Sequence, residues 1–242
     1  NLLFSHEINW ADIFTYTTNA SATTVTAWIG QSISTGVTVP NTIETLPVYV
    51  NTNSTFRNDK NVTTVNIESD SVWFNGATMN TMTNAFNGCN VLTSVNAIPA
   101  KVTNMVYTFY SCSNLVNAPA IPANVTNMAS TFYDCSNLVN APAIPANVTG
   151  MAYTFRNCYN LVNAPVIGQN VINHYETFRN CTNLAGNITL INTSVTEANM
   201  TNMFYGCNAS IPKTLRCPTG SLTYNSAINV VDGKNGVTVV AY

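Results

Sequence analysis

The seven cysteines and two histidines are the side chains with the widest chemical reach in this sequence. Five of the cysteines, Cys89, Cys112, Cys135, Cys158 and Cys181, recur every 23 residues. Thiols can bond to one another, hold a soft metal or act as nucleophiles, and each role needs its own spacing. No CxxC pair exists, so the usual frame of a thiolate metal site or redox motif is missing. If successive units stack, the regular thiols stand above one another at about 4.8 Å with parallel Cβ directions. That makes the required disulfide dihedral hard to reach. The regular cysteines therefore read as buried small hydrophobes. Cys207 and Cys217 lie off the register and are the pair that could bond.

The remaining catalytic vocabulary is thin. His6 and His174 are the histidines, carboxylates are few, and neither a phosphate-cradling glycine loop nor a GxSxG motif occurs. His174 stands where other units carry methionine, which predicts a satisfied or partly exposed core histidine rather than a ligand. A non-enzymatic chain without cofactor or metal is expected. Side chains suited to recognition are better represented. The positions two before and one after a recurring Phe read Tyr107 and Tyr110, Ser130 and Tyr133, Tyr153 and Arg156, then Glu176 and Arg179. Being three apart on a turn, both are expected to face outward. With Tyr159, Tyr175 and Tyr205 they form a Tyr and Arg stripe of rigid amphipathic contacts and adaptable polar groups, the composition of a binding surface. The competing reading is that these tyrosines only shield one another along the stack.

The elements that position this stripe follow from the repeat. Phe86, Phe109, Phe132, Phe155 and Phe178 lie 23 residues apart, with each Cys three later, Met82, Met105, Met128 and Met151 four earlier, and Leu92, Leu115, Leu138, Leu161 and Leu184 three after the Cys. Ile98, Ile121, Ile144 and Ile167 complete the frame, with Leu190 in the fifth unit. One such unit cannot bury its own apolar residues and needs like units above and below, so the period predicts a solenoid. LVNAPAI is the expected strand of a parallel sheet, shortened to three or four residues by Pro119, Pro142 and Pro165. The MxxxF spacing suits a short helical or 3₁₀ turn. A column of asparagines, Asn61, Asn114, Asn137, Asn160 and Asn183, is expected to satisfy the backbone of its own turn and of the next coil.

The frame FxxCxNLxxxPxIPxxVTNMxxTF, over roughly residues 79 to 210, resembles the BspA-like leucine-rich repeats and their VTNM variant, found in bacterial surface and some phage tail proteins. The resemblance implies an α/β, leucine-rich-repeat-like solenoid with a parallel β-sheet on one face, used for adhesion or recognition, and fixes no ligand. A degenerate unit precedes the regular ones, with Phe56 in the Phe column, Asp59 in the Cys column and Val62 in the Leu column. Seven extra residues then loop out around Ser69 to Gly76, and three more near Asn192 to Ala198.

Residues 1 to 20 read as extended, and Ser21 to Ile33 as an amphipathic helix from Val25, Trp28, Ile29 and Ile33. Residues 1–48 are expected to form an N-terminal cap or assembly segment, 49–210 the solenoid, and 211–242 a C-terminal cap of strand, short helix, turn and strand. Only 7% of residues are charged, against about 25% in ordinary domains, and the net charge is −2. Neither a nucleic-acid footprint nor a membrane span is present. Asn, Thr and Ser replace the charges, which suits an extracellular, cell-surface or virion setting. The opening NLLF is too short for a signal-peptide core, and the chain reads as a mature form or a fragment. Two functions fit: attachment to a host-surface protein or glycan through the stripe, as a monomer or trimer, or a structural subunit self-associating into a tail, fibre or filament through the N-terminal segment and the strand face.

Overall fold

A computed structural model describes strands at 14–18, 23–28, 36–39 and 42–43, and residues 46–242 apart from 53–54, 69–70, 76–77 and 232–233. Its centre is the phenylalanine column. Phe56, Phe86, Phe109, Phe132, Phe155, Phe178 and Phe204 stack ring upon ring with centroids 5.4–5.7 Å apart. Successive rings from Phe86 to Phe204 tilt by at most 9°. Rings offset at this separation gain dispersion and a favourable quadrupole alignment besides the area they bury. The Met, Cys and Leu columns are buried beside them, and Val102, Val125, Val148 and Val171 add a further one. The chain is a parallel-strand solenoid of seven turns, one per phenylalanine.

Each turn is built differently from the expected strand and helical turn. In the Met-to-Cys arc the chain makes successive β-turns, closed by Thr108 N donating to Met105 O and Cys112 N to Phe109 O, both 3.1 Å. Tyr107 and Ser111, with φ of 56° and 57°, are the left-handed residues of those turns. A left-handed residue midway brings Met105 and Phe109 to the same face without a helix. The intervening N–H groups point along the solenoid axis. Met105, Tyr107, Phe109 and Ser111 donate to Asn127, Ala129, Thr131 and Tyr133 of the next coil at 2.7–3.2 Å. Opposite the arc, the strand in the middle coils is reduced to single bridges, Asn117 to Asn140 to Asn163. Proline removes the donors that a longer ladder would need. A second row of bridges joins Asn104, Asn127, Gly150 and Asn173.

The asparagine that serves the backbone is the one before Met. Asn104 Oδ1 accepts from Val106 N, Asn127 Oδ1 from Ala129 N, and Asn173 Oδ1 from Tyr175 N, all at 3.0 Å. Asn137, Asn160 and Asn183 instead donate to the amide of the previous coil at 3.2–3.5 Å on the surface. The expected role thus belongs to a different column, because only the residue preceding Met lies within reach of the turn's orphan N–H. A buried threonine before Phe adds a bridge. Thr131 Oγ1 lies 2.7 Å from Met128 O and 2.9 Å from Met105 O, and so joins two coils.

Longer strands gather toward the two ends. β1 (Phe14–Thr18), β2 (Thr23–Trp28), β3 (Gly36–Val39), β4 (Thr42–Ile43) and β5 (Leu46–Asn51) precede Phe56, the first ring of the column. β6 (Thr64–Ile67), β7 (Val72–Asn75), β8 (Thr78–Met79) and β9 (Ser94–Val95) follow it. β2 corrects the helix expected from Ser21 to Ile33, of which 21–22 and 29–33 lie outside the described residues. TTVTAW is rich in β-branched residues, and pairing with β1 and β5 overrides the three-and-four spacing of its apolar positions. Of the extended reading for residues 1–20, β1 is described, and 1–13 and 19–20 lie outside the described residues. The seven-residue insertion does not loop out. β7 pairs in parallel with β5 and turns back through β8. Trp73 enters the core, 6.2 Å from Phe56 and 5.7 Å from Phe86 by ring centroids, because the apolar Val-Trp-Phe run gains more by burial than by exposure.

Beyond the middle coils come β10 (Gly186–Thr189), the one-turn helix α1 (Glu197–Met200) at the second insertion, β11 (Lys213–Cys217), α2 (Leu222–Val230) and β12 (Val237–Ala241). β10, β11 and β12 form a parallel sheet, as the strand, helix and strand read from the sequence require. No helix among the described residues is long and apolar enough to cross a membrane.

Candidate recognition surface

All seven cysteines are free and buried. Cys112 Sγ donates to Phe86 O, Cys135 to Phe109 O and Cys158 to Phe132 O at 3.0–3.1 Å. Cys207 makes the same bond to Phe178 O, so it is a rung of the ladder rather than a partner of Cys217. Burial pushes the Cys207 thiol up to about 11 and that of Cys217 up to about 12, which leaves both far from the thiolate that reacts or binds metal. Among the described residues no three metal-ligating side chains come together. His174 is fully buried, and neither ring nitrogen makes a hydrogen bond. The expectation of a satisfied or partly exposed histidine is corrected: the ring is fully buried in a slot of the Met column, with the Val171 backbone facing it but no well-formed hydrogen bond.

The Tyr and Arg side chains converge on the outer face of the arc. Tyr107 packs edge-on against Tyr110 at 5.7 Å, and Tyr110 stacks on Tyr133 at 4.7 Å. The Arg156 guanidinium lies 5.2 Å from the Tyr133 ring centre and 5.9 Å from that of Tyr153, and Tyr153 meets Tyr175 edge-on at 5.3 Å. Arg179 covers Tyr205 at 4.7 Å. These are cation–π distances. One chain of ring and cation contacts runs from Tyr107 to Tyr175, and Glu176, which pairs with both Arg156 and Arg179, joins it to Tyr205. Tyr159 sits one residue after Cys158, is exposed, and has no ring contact with the stripe.

Glu176 is the member that the outward pattern misplaces. Its side chain is only 5% exposed, and it accepts hydrogen bonds from Arg156 Nη1 and, at 2.8 Å, from Arg179 Nη1. Ser130, in the same column, is likewise buried. Alternate members of this column thus differ in depth: Tyr107 reaches solvent, whereas Glu176 folds inward to bind two guanidiniums that would otherwise repel. Burial, followed by the neighbouring Tyr133 and Asp134, raises the Tyr110 hydroxyl above its usual value. For Tyr153 the causes are burial, Tyr175 and Glu176, in that order. Both phenols stay protonated at neutral pH and remain donors as well as acceptors.

Beneath the stripe, a second left-handed column carries Ser111, Asp134, Asn157 and Asn180, with φ of 57–61°. Asn157 Nδ2 donates to Asp134 Oδ1 at 2.6 Å, and Asn180 Nδ2 to Asn157 Oδ1 at 2.8 Å. Gly88 and Gly206 occupy the same place in the second and last turns. A Cβ on Gly206 would fall 2.0 Å from Asn180 Oδ1. Asn and Gly at this position are the signal of a left-handed backbone, and it was available in the sequence.

The family model for the BspA type leucine rich repeat region matches residues 52–185 and 151–229, in six copies. The chain belongs to this family. Among solved structures it is similar to a leucine-rich-repeat protein of T. pallidum, at 23% identity and a TM-score of 0.58, covering 72% of this chain and 78% of that one. It is also similar to a leucine-rich-repeat protein from Bacteroides ovatus, at 16% identity and a TM-score of 0.57, covering 95% and 70%. At these identities the likeness is one of fold. No curated protein matches the chain.

Proposed function

We propose that this BspA-type chain is a non-enzymatic attachment module displayed outside the cell. It holds a host-surface protein or glycan on the stripe formed by Tyr107, Tyr110, Tyr133, Tyr153, Arg156, Tyr175, Arg179 and Tyr205. The continuity of the stripe carries the reading: aromatic faces and guanidiniums touch across successive coils, while Tyr107 and Tyr205 expose 42% and 55% of their surface. A rigid scaffold fixes these side chains before any ligand arrives, which lowers the ordering cost of binding. Tyr159 lies apart and serves at most the rim. Mechanism here is surface complementarity: ring faces take apolar or sugar faces, while phenol and guanidinium edges donate.

Replacing Tyr107, Tyr110, Tyr153 and Arg156 together by Ser tests this. Ser130 already occupies the Tyr107 column with a φ of 54°, so serine fits that backbone. The variant is expected to keep its circular dichroism spectrum and to lose binding to the glycans or host-surface proteins that the wild type retains on an array. Unchanged binding by the folded variant moves the site off the stripe.

A further inference from the structure

The two arginines of the stripe are only partly satisfied by the protein. They stand at equivalent positions of adjacent coils, and Glu176 lies between them, accepting from Nη1 of each. One carboxylate offsets one of the two positive charges. Among the described residues neither Nη2 has an acceptor, and both Nε atoms are buried without a partner. Each guanidinium is nevertheless held in place, over Tyr133 at 5.2 Å and over Tyr205 at 4.7 Å. The side chains are 24% and 26% exposed, so the two Nη2 groups are fixed, open to solvent and short of an acceptor. The opposite charge lies one coil before Arg156. Asp134 accepts from Asn157 Nδ2 at 2.6 Å and from Ser111 Oγ at 3.4 Å, and its charge helps to raise the Tyr110 hydroxyl while that of Arg156 opposes it. The stripe is therefore polar along its length, negative beside Tyr110 and positive toward Arg179.

We propose that the ligand of the stripe is a glycan with one acidic group, a carboxylate or a sulfate, which accepts from Nη2 of Arg156 and Arg179 while its neutral sugars lie toward Tyr133, Tyr110 and Tyr107. The inference rests on the stripe being the binding face and names the class of ligand it takes. Three observations carry it. Two pre-placed guanidinium groups with open N–H donors match the oxygens of one anionic group, and such charge-assisted bonds are the strong ones. Tyr107, 42% exposed, offers ring surface of the kind that packs on the apolar face of a sugar. The main chain beneath has nothing to give a peptide: the N–H groups of Tyr107, Tyr110, Tyr133, Tyr153, Arg156 and Arg179 all donate within the protein. Peptide recognition by strand addition needs such groups unpaired. Recognition is left to hydroxyls, ring faces and guanidiniums, which suits a polyol. Asp134 sets the orientation and limits the charge, because a second acidic group beside Tyr110 would be repelled.

Titration of the full chain with lactose, sialyllactose and lactose sulfate, each up to about 10 mM and followed by amide chemical shifts, tests it. At least one acidic sugar should bind about tenfold or more tightly than lactose at low salt, and which of the two does so tells carboxylate from sulfate. That preference should shrink in about 0.5 M sodium chloride. Arg179→Gln should remove most of it. Asp134→Asn supplies the residue that the next two coils carry at the same left-handed position, Asn157 and Asn180. It should raise the affinity for the acidic sugar by about twofold to threefold, a gain that arginines serving only as braces of the fold would not give. Equal binding of lactose and both acidic sugars overturns the proposal, and if replacing Tyr107, Tyr110, Tyr153 and Arg156 by Ser abolishes that binding, the stripe still stands as the binding face. Acidic-sugar binding that survives in the fourfold Ser variant overturns both. Absence of binding by either acidic sugar overturns the proposal, as does binding of acetyl-Gly-Glu-Gly-amide as tight as that of the acidic sugar.

Discussion

His174→Met is the substitution whose outcome follows most directly from the structure. The imidazole fills a place taken by Met in neighbouring coils, is fully buried and has no well-formed hydrogen bond at either nitrogen. Burial lowers its pKa from 6.5 to about 4, against a weak opposing pull from the Val171 backbone. Above pH 6.5 the ring is neutral in both folded and unfolded chains, and no pH-dependent loss occurs. Below it the unfolded chain takes up a proton that the folded one refuses, so stability falls until the pH reaches the folded value. A depression of that size is worth about 3 kcal/mol in total. Methionine removes that dependence and also the cost of a poorly matched buried imidazole, about 1–3 kcal/mol at neutral pH. Urea unfolding of both proteins, followed by circular dichroism from pH 7 to 4.5, measures the difference while the carboxylates they share cancel. The variant should be the more stable at pH 7, and its lead should widen by about 2–3 kcal/mol by pH 4.5. A lead that stays constant with pH would show that the ring is neither dry nor unpartnered. A lead that shrinks would show a partner that favours the imidazolium.

Phe132→Ala removes a ring stacked 5.5 Å below and 5.6 Å above its neighbours. It should cost about 3–5 kcal/mol in chemical denaturation, and a loss below about 1 kcal/mol would contradict a close-packed column. Gly206→Ala places a methyl group at a φ of 74° and against Asn180. It should destabilise by at least about 1–2 kcal/mol, and adding Asn180→Gly, which tolerates the left-handed backbone there, should recover the clash but not the backbone part. Tyr153→Val should lower the melting temperature more than Tyr133→Val, because Tyr153 has a φ of 60° and Tyr133 is not left-handed. The difference corresponds to about 1–2 kcal/mol, and equal losses would count against the turn geometry.

The interior was legible because burial repeats residue types. Phe, Met, Cys and Leu recur at one interval, and every coil buries them, down to Phe56 and Val62 in the degenerate unit. What escaped was decided by the backbone. Met105 and Phe109 have the spacing of a helical turn, yet a left-handed Tyr107 joins them, and tyrosine does not advertise a positive φ as glycine does. The clue lay elsewhere in the same column, where Asn84 and Asn202 stand. The first sheet escaped for a different reason: β2 is held by strands on either side, and pairing partners distant in sequence leave no periodicity of their own. Of the stripe, the residue types and their outward direction were readable for Tyr107, Tyr110 and Tyr205. Glu176 was not, because its inward turn depends on two arginines, one 20 residues before it in the preceding coil.

The two outward columns are therefore unequal as carriers of specificity. The column two before Phe reads Asn84, Tyr107, Ser130, Tyr153, Glu176 and Asn202, all with φ between 52° and 63°. None of these is β-branched, as a left-handed backbone demands. The column one after Phe reads Asn87, Tyr110, Tyr133, Arg156, Arg179 and Tyr205, and none of these has a positive φ. Substitution there meets no backbone penalty. A scaffold of this kind can change its ligand through the second column at little cost in stability, whereas the first must supply residues that both tolerate the turn and brace their neighbours. Glu176 does both at once: it accepts the left-handed turn and fixes Arg156 and Arg179 over Tyr133 and Tyr205. Loss of its charge should loosen two members of the stripe together, which ties the recognition surface to the turn that builds the coil.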